Sequence, residues 1–285
     1  VTPWPGLAAE PLDEARRAVY AGAVFTAPGC PESSRLCAAL RTHARRALGG
    51  LALREAHSLG SQGLYQAVSR ARDAIAADAS VLEAAAALAR ALGAREPGWV
   101  LDRPRLRAVG SGLWRDPRAR RAYMMHRDTW YASPSAQINL WMPLLDVGPT
   151  EGFALYPAWF DAPIANDSAG FDYDAWSREV GFQSTSASAE ASFPQALCAP
   201  PPRQARRVRA RAGQVVVFSG AHLHSTMGHD SGRTRWSVDM RLVHTGDARA
   251  GLGAPAIDDA SRGTTLGDFL PLEPLLAAGA LRPST

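Results

Sequence analysis

Near Trp99 the hydrophobic pattern of the chain changes its period. Upstream, residues 31–50, 61–80 and 80–93 place apolar side chains three and four apart, with Ser33 or Ser34 as the cap of the first run and Gly49-Gly50 as its stop, which predicts helices. Downstream, RLRAVGSGLW, AYMMHRDTW, AQINLWMPLLD, GFALYP, RRVRARA, GQVVVFSG and TRWSVDMRLVH are short and are divided by Gly, Pro and Asp, which predicts strands. A helical front followed by many short strands implies an α+β chain, with a β-sandwich or jelly-roll core and helices packed outside it. We read the 285 residues as a single domain: a mainly helical scaffold over 1–98, a β core over 99–247 and a C-terminal extension over 248–285. Residues 158–202, rich in Ser, Ala, Pro and Asp, interrupt that core. An insertion of this length is usually functional, and its aromatic half, to about Trp176, reads as a lid while its Ser/Ala half reads as mobile.

Composition narrows the function more by what is missing than by what is present. No apolar run approaches the roughly 20 residues of a membrane helix. The opening residues lack the basic, apolar and small-residue succession of a secretion signal. Three cysteines, Cys30, Cys37 and Cys198, are an odd number at no metal-like spacing, so the expectation is a cytoplasmic protein without a disulfide framework or a zinc cluster. All 31 basic residues counted in the net charge of +4 are arginine. Without a lysine amine there is no P-loop, no Schiff base and no kinase site. The arginines gather around Arg115–Arg121 and Arg203–Arg211 with almost no interleaved aromatics, which speaks against nucleic acid and for solvated edges or loops. An acidic or carrier-tethered substrate is the second reading of these runs.

The chemistry is concentrated in two stretches. In His126-Arg127-Asp128, residues two apart on a strand share a face, so the imidazole and the carboxylate project together and Arg127 projects away. His222 and His224, which also share a face, offer a third ligand. Two histidines and one carboxylate leave three positions of an octahedral iron open. Eleven residues after His224 stands Arg235, with Ser237 on the same strand face. A guanidinium fork and a hydroxyl suit the far carboxylate of a dicarboxylate co-substrate.

Taken together, the His-x-Asp, the later His224-Ser225-Thr226 and the Arg235-x-Ser237 pair resemble the Fe(II)/2-oxoglutarate-dependent dioxygenases, and within them the phytanoyl-CoA dioxygenase-like group, over residues 122–243. The resemblance implies a double-stranded β-helix (jelly-roll, cupin-like) core. It implies Fe(II) held at the catalytic centre by His126, Asp128 and His224, 2-oxoglutarate chelating that iron and gripped by Arg235 and Ser237, and O2 as the second co-substrate. The chain departs from the family's usual Pro-Gly-Ser-His corner at Pro157-Ala158-Trp159-Phe160. Asp128 stands where related halogenases carry a small residue, so the expected reaction is hydroxylation with release of succinate and CO2. Desaturation, epimerisation and cyclisation begin from the same hydrogen abstraction and stay open, as does a non-catalytic metal- or ligand-binding β-helix protein.

Further expectations attach to the remaining polar residues. Gln137, Asn139 and Trp141 share a face of AQINLW, with Asn139 and Gln137 expected to contact 2-oxoglutarate and Trp141 the substrate. Trp130, Asn166, Asp167, Arg241 and His222 are also expected at the substrate. With Asp172 and Tyr173 in the lid, they predict a small polar metabolite, an amino acid or a natural-product intermediate. Asp239 and Arg241 are expected to pair with each other, and His229 and His244 to be solvated.

Overall fold

The computed structural model describes residues 2–3, 12–179 and 193–280, so the Ser/Ala half of the insertion lies outside the described residues. Four helices form the front of the chain: α1 (Leu12–Tyr20), α2 (Pro31–Ala47), α3 (Gly60–Ala77) and α4 (Ala79–Ala91). The cap of α2 is Cys30 rather than either serine. Pro31 suits the first helical position, which moves the start forward. Ser33 then closes a reciprocal box, its N–H donating to the Cys30 sulfur and its hydroxyl accepting from the Cys30 N–H. Gly49 and Gly50 follow the helix end with φ of 60° and 102°, a backbone that glycine adopts without strain.

The strands are β1 (Thr2–Pro3), β2 (Phe25–Ala27), β3 (Trp99–Leu101), β4 (Arg105–Gly110), β5 (Ile138–Pro143), β6 (Phe153–Leu155), β7 (Arg206–Val208), β8 (Val215–Ser219), β9 (His224–Thr226), β10 (Thr234–His244) and β11 (Leu270–Pro271). One sheet has the order β1-β2-β8-β5-β10-β3-β11, with β4 also paired to β10; a small antiparallel sheet has the order β7-β6-β9. The centre of the large sheet is β10, whose alternation divides the molecule. Trp236, Val238, Met240 and Leu242 are fully buried against the helices together with Leu106, Ile138 and Val217. Arg235, Ser237, Asp239 and Arg241 point the other way by the two-residue period of the strand. On that side Trp141, Val216 and Phe218 of the large sheet pack with Phe153, Leu155 and Val208 of the small one, so the two sheets face each other.

One expectation changes here. The segment around His126 is not a strand: Pro117–Tyr123 and Asp128–Tyr131 are 3-10 turns, and His126 makes a single antiparallel bridge, to His224. The Asp128 N–H is taken by Gly220 O, so no ladder propagates beyond the bridge. The C-terminal extension wraps back onto the rest of the chain. It adds β11 to the edge of β3 and ties residues 129–135 through Ser261 and Ala254. Among the described residues no helix is long and apolar enough to cross a membrane.

Candidate metal centre

Two backbone hydrogen bonds, His126 N–H to His224 O at 3.0 Å and His224 N–H to His126 O at 2.9 Å, lock the two histidines opposite each other across the bridge. Their ring centroids stand 4.3 Å apart. Arg127 is extended, with φ −109° and ψ 145°, and this brings Asp128 back to the side of His126. The carboxylate Oδ1 then lies 3.6 Å from His126 Nε2 and 4.0 Å from His224 Nε2. Ligand atoms of all three residues lie within 4.8 Å of one another, a group able to hold a metal ion.

The atoms around these groups decide how they can bind. His126 Nδ1–H donates to Met124 O and His224 Nδ1–H donates to His222 O, which leaves both Nε2 lone pairs directed at the site. Burial, reinforced by His126, pushes the His224 imidazole down to about 3, so it is neutral and ligand-ready at ordinary pH. Burial by itself would raise the Asp128 carboxyl, but the Arg241 charge and the His126 contact outweigh it and hold the group well below the usual carboxylate range.

Asp128 Oδ2 is fully engaged. It accepts from Asn139 Nδ2 at 2.7 Å, Gln137 Nε2 at 2.9 Å and Arg241 Nε at 3.4 Å. Gln137 and Asn139 thus each place an amide N–H on the Asp128 carboxylate, and Gln137 donates as well to Asn139 Oδ1. Arg241 does not pair with Asp239: Asp102 takes both its N–H at 2.8 Å and its Nη1 at 2.9 Å, and Asp239 pairs with Arg107. The sequence reading missed Asp102 and Arg107. The alternation of RLRAVG could have placed Arg107 facing in, whereas Asp102 was legible only from its partner across the sheet.

Arg235 lines the same pocket as His126, Asp128 and His224, as do Trp141, Phe153 and Phe218. Its Nη1 donates to Glu151 O and Gly152 O, and its guanidinium lies 5.7 Å from the Trp141 ring centre. Burial lowers it to about 10, still a cation at neutral pH. Its Nε and the Ser237 hydroxyl are buried without a hydrogen-bond partner among the described residues. Two unpaired donors on neighbouring positions of one strand face are an expensive arrangement unless a ligand accepts from them.

Other expected site residues lie elsewhere. His222 is fully buried and held by Ser219 O and Gly22 O beside Phe160, away from the pocket. Trp130 is fully buried and donates to Asp258. Asn166 donates to Ile164 O and Asp258 O, and Asp167 accepts from the Gln195 N–H, so both tie the loop together. Asp172 caps the turn at Ala175 and pairs with Arg262, and Tyr173 donates to Asp268. Phe171, Tyr173 and Trp176 of the aromatic half pack with Phe193 from the other end of the insertion, and Tyr131 joins this cluster to the His126 ring at 5.1 Å. His229 is buried, bonded to Val109 O and Ser231, and His244 sits between Glu96 and Asp247, so neither is simply solvated. The basic runs are mainly surface features: Arg115 forks onto Asp230, Arg118 onto Asp116, and Arg206 and Arg207 are exposed on β7.

No protein-family model and no curated protein sequence matches the chain. Several solved structures resemble it in shape. The epimerase SnoN, described as non-heme and alpha-ketoglutarate-dependent and from nogalamycin biosynthesis, is 18% identical in its complex with Fe3+, alpha-ketoglutarate and nogalamycin RO; the match covers 91% of this chain and 99% of that one, with a TM-score of 0.44. EvdO2 from Micromonospora carbonacea var. aurantiaca, complexed with 2-oxoglutarate, is 11% identical over 82% of this chain and 92% of that one, with a TM-score of 0.44. AviO1 from Streptomyces viridochromogenes Tue57 is 16% identical over 82% of this chain and 96% of that one, with a TM-score of 0.41.

Proposed function

We propose that this protein is a non-haem Fe(II)- and 2-oxoglutarate-dependent oxygenase with a double-stranded β-helix core, of the phytanoyl-CoA dioxygenase-like group. Its reaction is hydroxylation of a C–H bond in a small polar metabolite, with release of succinate and CO2. The observation that carries this reading is the meeting, in one pocket, of the two-histidine, one-carboxylate group with the unpaired donors of Arg235 and Ser237 on the adjoining strand. A bare metal-binding protein has no use for those donors.

The residues present fit both groups. His126 and His224 would offer Nε2 and Asp128 would offer Oδ1 to the iron, while Arg235 and Ser237 would bind the far carboxylate of 2-oxoglutarate. Iron with 2-oxoglutarate and O2 supplies a strong oxidant for C–H bonds. The protein's own work is orientation. Gln137, Asn139 and Arg241 hold Asp128 Oδ2, so the carboxylate would present Oδ1 alone to the iron. Trp141, Phe153 and Phe218 provide an apolar wall that keeps water from the reacting centre. The aspartate at position 128 supports hydroxylation over halogenation, because its carboxylate would take the ligand place that a halide needs.

The reading is tested by anaerobic titration of the protein with Fe(II) and 2-oxoglutarate, watching for the weak visible charge-transfer band of the chelated complex. The expected result is a band in the wild type that is lost in His126→Ala and that needs at least about tenfold more 2-oxoglutarate in Arg235→Ala. Bound iron with no band in the wild type would remove 2-oxoglutarate from the assignment.

A further inference from the structure

Three arginines line the pocket, and they are not equivalent. Arg241 is enclosed by Asp102 and Asp128, which take both its Nη1 and its Nε. Arg235 is buried at the end beside Glu151 and Gly152, where its unpaired Nε and Ser237 await the co-substrate. Arg107, on β4 opposite Ser237, is the remaining one. Its side chain is 35% exposed and its Nε is held by Asp239. Among the described residues no group accepts a hydrogen bond from its two terminal nitrogens.

A guanidinium fixed at Nε and open at both terminal nitrogens is oriented to take a planar anion through two parallel hydrogen bonds. The charge around the site agrees. Arg105, Arg107, Arg235 and Arg241 stand against Asp102, Asp128 and Asp239, an excess of one positive charge. A divalent cation and a dicarboxylate co-substrate cancel each other, so the excess survives their binding. A co-substrate that chelates the metal and reaches Arg235 has both carboxylates partnered, which leaves the Arg107 fork for a different ligand.

We propose that Arg107, steadied by Asp239, is the substrate-binding residue of this pocket, and that the substrate carries a carboxylate or a similar planar anion which Arg107 grips beside the metal. This inference rests on the oxygenase reading and names the substrate class within it.

The test uses Mn(II)-loaded protein saturated with 2-oxoglutarate, with benzoate and its neutral counterpart benzamide as probes. Paramagnetic relaxation of the probe protons by Mn(II), followed by NMR, reports binding next to the metal. Benzoate is expected to bind at least about tenfold more tightly than benzamide. Arg107→Leu should abolish that preference and Arg107→Lys should keep part of it, with 2-oxoglutarate affinity within about twofold of wild type in both. The double variant Arg107→Leu/Asp239→Asn, which leaves no unpaired carboxylate, should behave as Arg107→Leu does. Equal binding of the two probes, or a benzoate preference that survives Arg107→Leu, overturns the proposal. A large loss of 2-oxoglutarate affinity in Arg107→Leu also overturns it, because Arg107 would then serve the co-substrate. Failure of the wild type to bind Mn(II) and 2-oxoglutarate is a separate outcome and overturns the oxygenase reading, with this inference.

Discussion

At Asp128 the two oxygens of one carboxylate have different surroundings: Oδ2 accepts three hydrogen bonds, and Oδ1 faces two imidazole nitrogens. Such outer partners typically matter 10–100-fold for metal affinity. Asn139→Ala, which removes the shortest of these bonds, is therefore expected to weaken Fe(II) binding by about that factor while the protein remains folded. Competition against a chelating dye measures it, and an unchanged affinity would mean that the bridge alone orients the ligand. Close packing supports the same contact. A side chain at Gly220 would come within 3.0 Å of Gln137 Nε2 and 3.4 Å of the Asp128 Cβ. His229 carries a second residue-level prediction. Burial lowers its imidazole below the ordinary value of about 6.5. Its contribution is complete above that value and is lost as pH falls through the lowered one, because the unfolded chain takes up the proton first. Urea midpoints should fall between pH 7.5 and 5.5, and less steeply in His229→Gln.

At the scale of elements, a pair of loops is joined by Arg127 and Asp258. Arg127 stands between His126 and Asp128 and turns to the opposite side. There its guanidinium donates to Asp258, Trp159 O, Ala162 O and Ala221 O. Asp258 also accepts from Trp130 Nε1 and the Ile164 N–H. One ion pair therefore fastens the turn after β6, the ligand segment and the C-terminal wrap. The side chains of Arg127 and Asp258 are only 2% and 6% exposed. Truncating one partner of so buried a pair leaves the other charge stranded, which costs ~3–5 kcal/mol. Asp258→Ala should lose about that much in chemical denaturation. Replacing both residues by apolar ones should lose much less, and equal losses would deny the coupling.

Across the whole molecule, the site is assembled from parts that exist together only in the folded chain: the bridge at His126 and His224, the carboxylate at Asp128, and the cradle from β5 and β10. A metal and 2-oxoglutarate that bind this arrangement bind the native state alone, and they stabilise it by mass action. At a hundredfold excess over its dissociation constant a single ligand adds about 2.7 kcal/mol. Scanning calorimetry should show the unfolding midpoint rise with Mn(II), rise again with 2-oxoglutarate, and return to the apo value with chelator. In Asp128→Ala both increments should disappear, and their persistence would locate the metal elsewhere.

The change of hydrophobic period at Trp99, the alternation of Thr234–His244 and the local order His126-Arg127-Asp128 were readable because each depends on neighbours in the chain. Period determines which face of a helix or strand is buried, and two-residue spacing determines which side chains travel together. The same logic ranged Arg235, Ser237, Asp239 and Arg241 along one face. Partners far apart in sequence were not readable. Arg241 chose Asp102 over Asp239, the amides of Gln137 and Asn139 turned to Asp128, His222 turned to Gly22, and residues near 260 closed around the ligand turn. Each of these choices is made by whichever acceptor the packed sheets bring within about 3 Å, a distance that sequence spacing does not encode. The strand expected around His126 failed for the same reason, since only one of its residues finds a partner strand. The sequence by itself determined the period of the elements and the kinds of ligand atom available; tertiary structure alone decided which of those atoms meet, because long-range pairing is settled by packing.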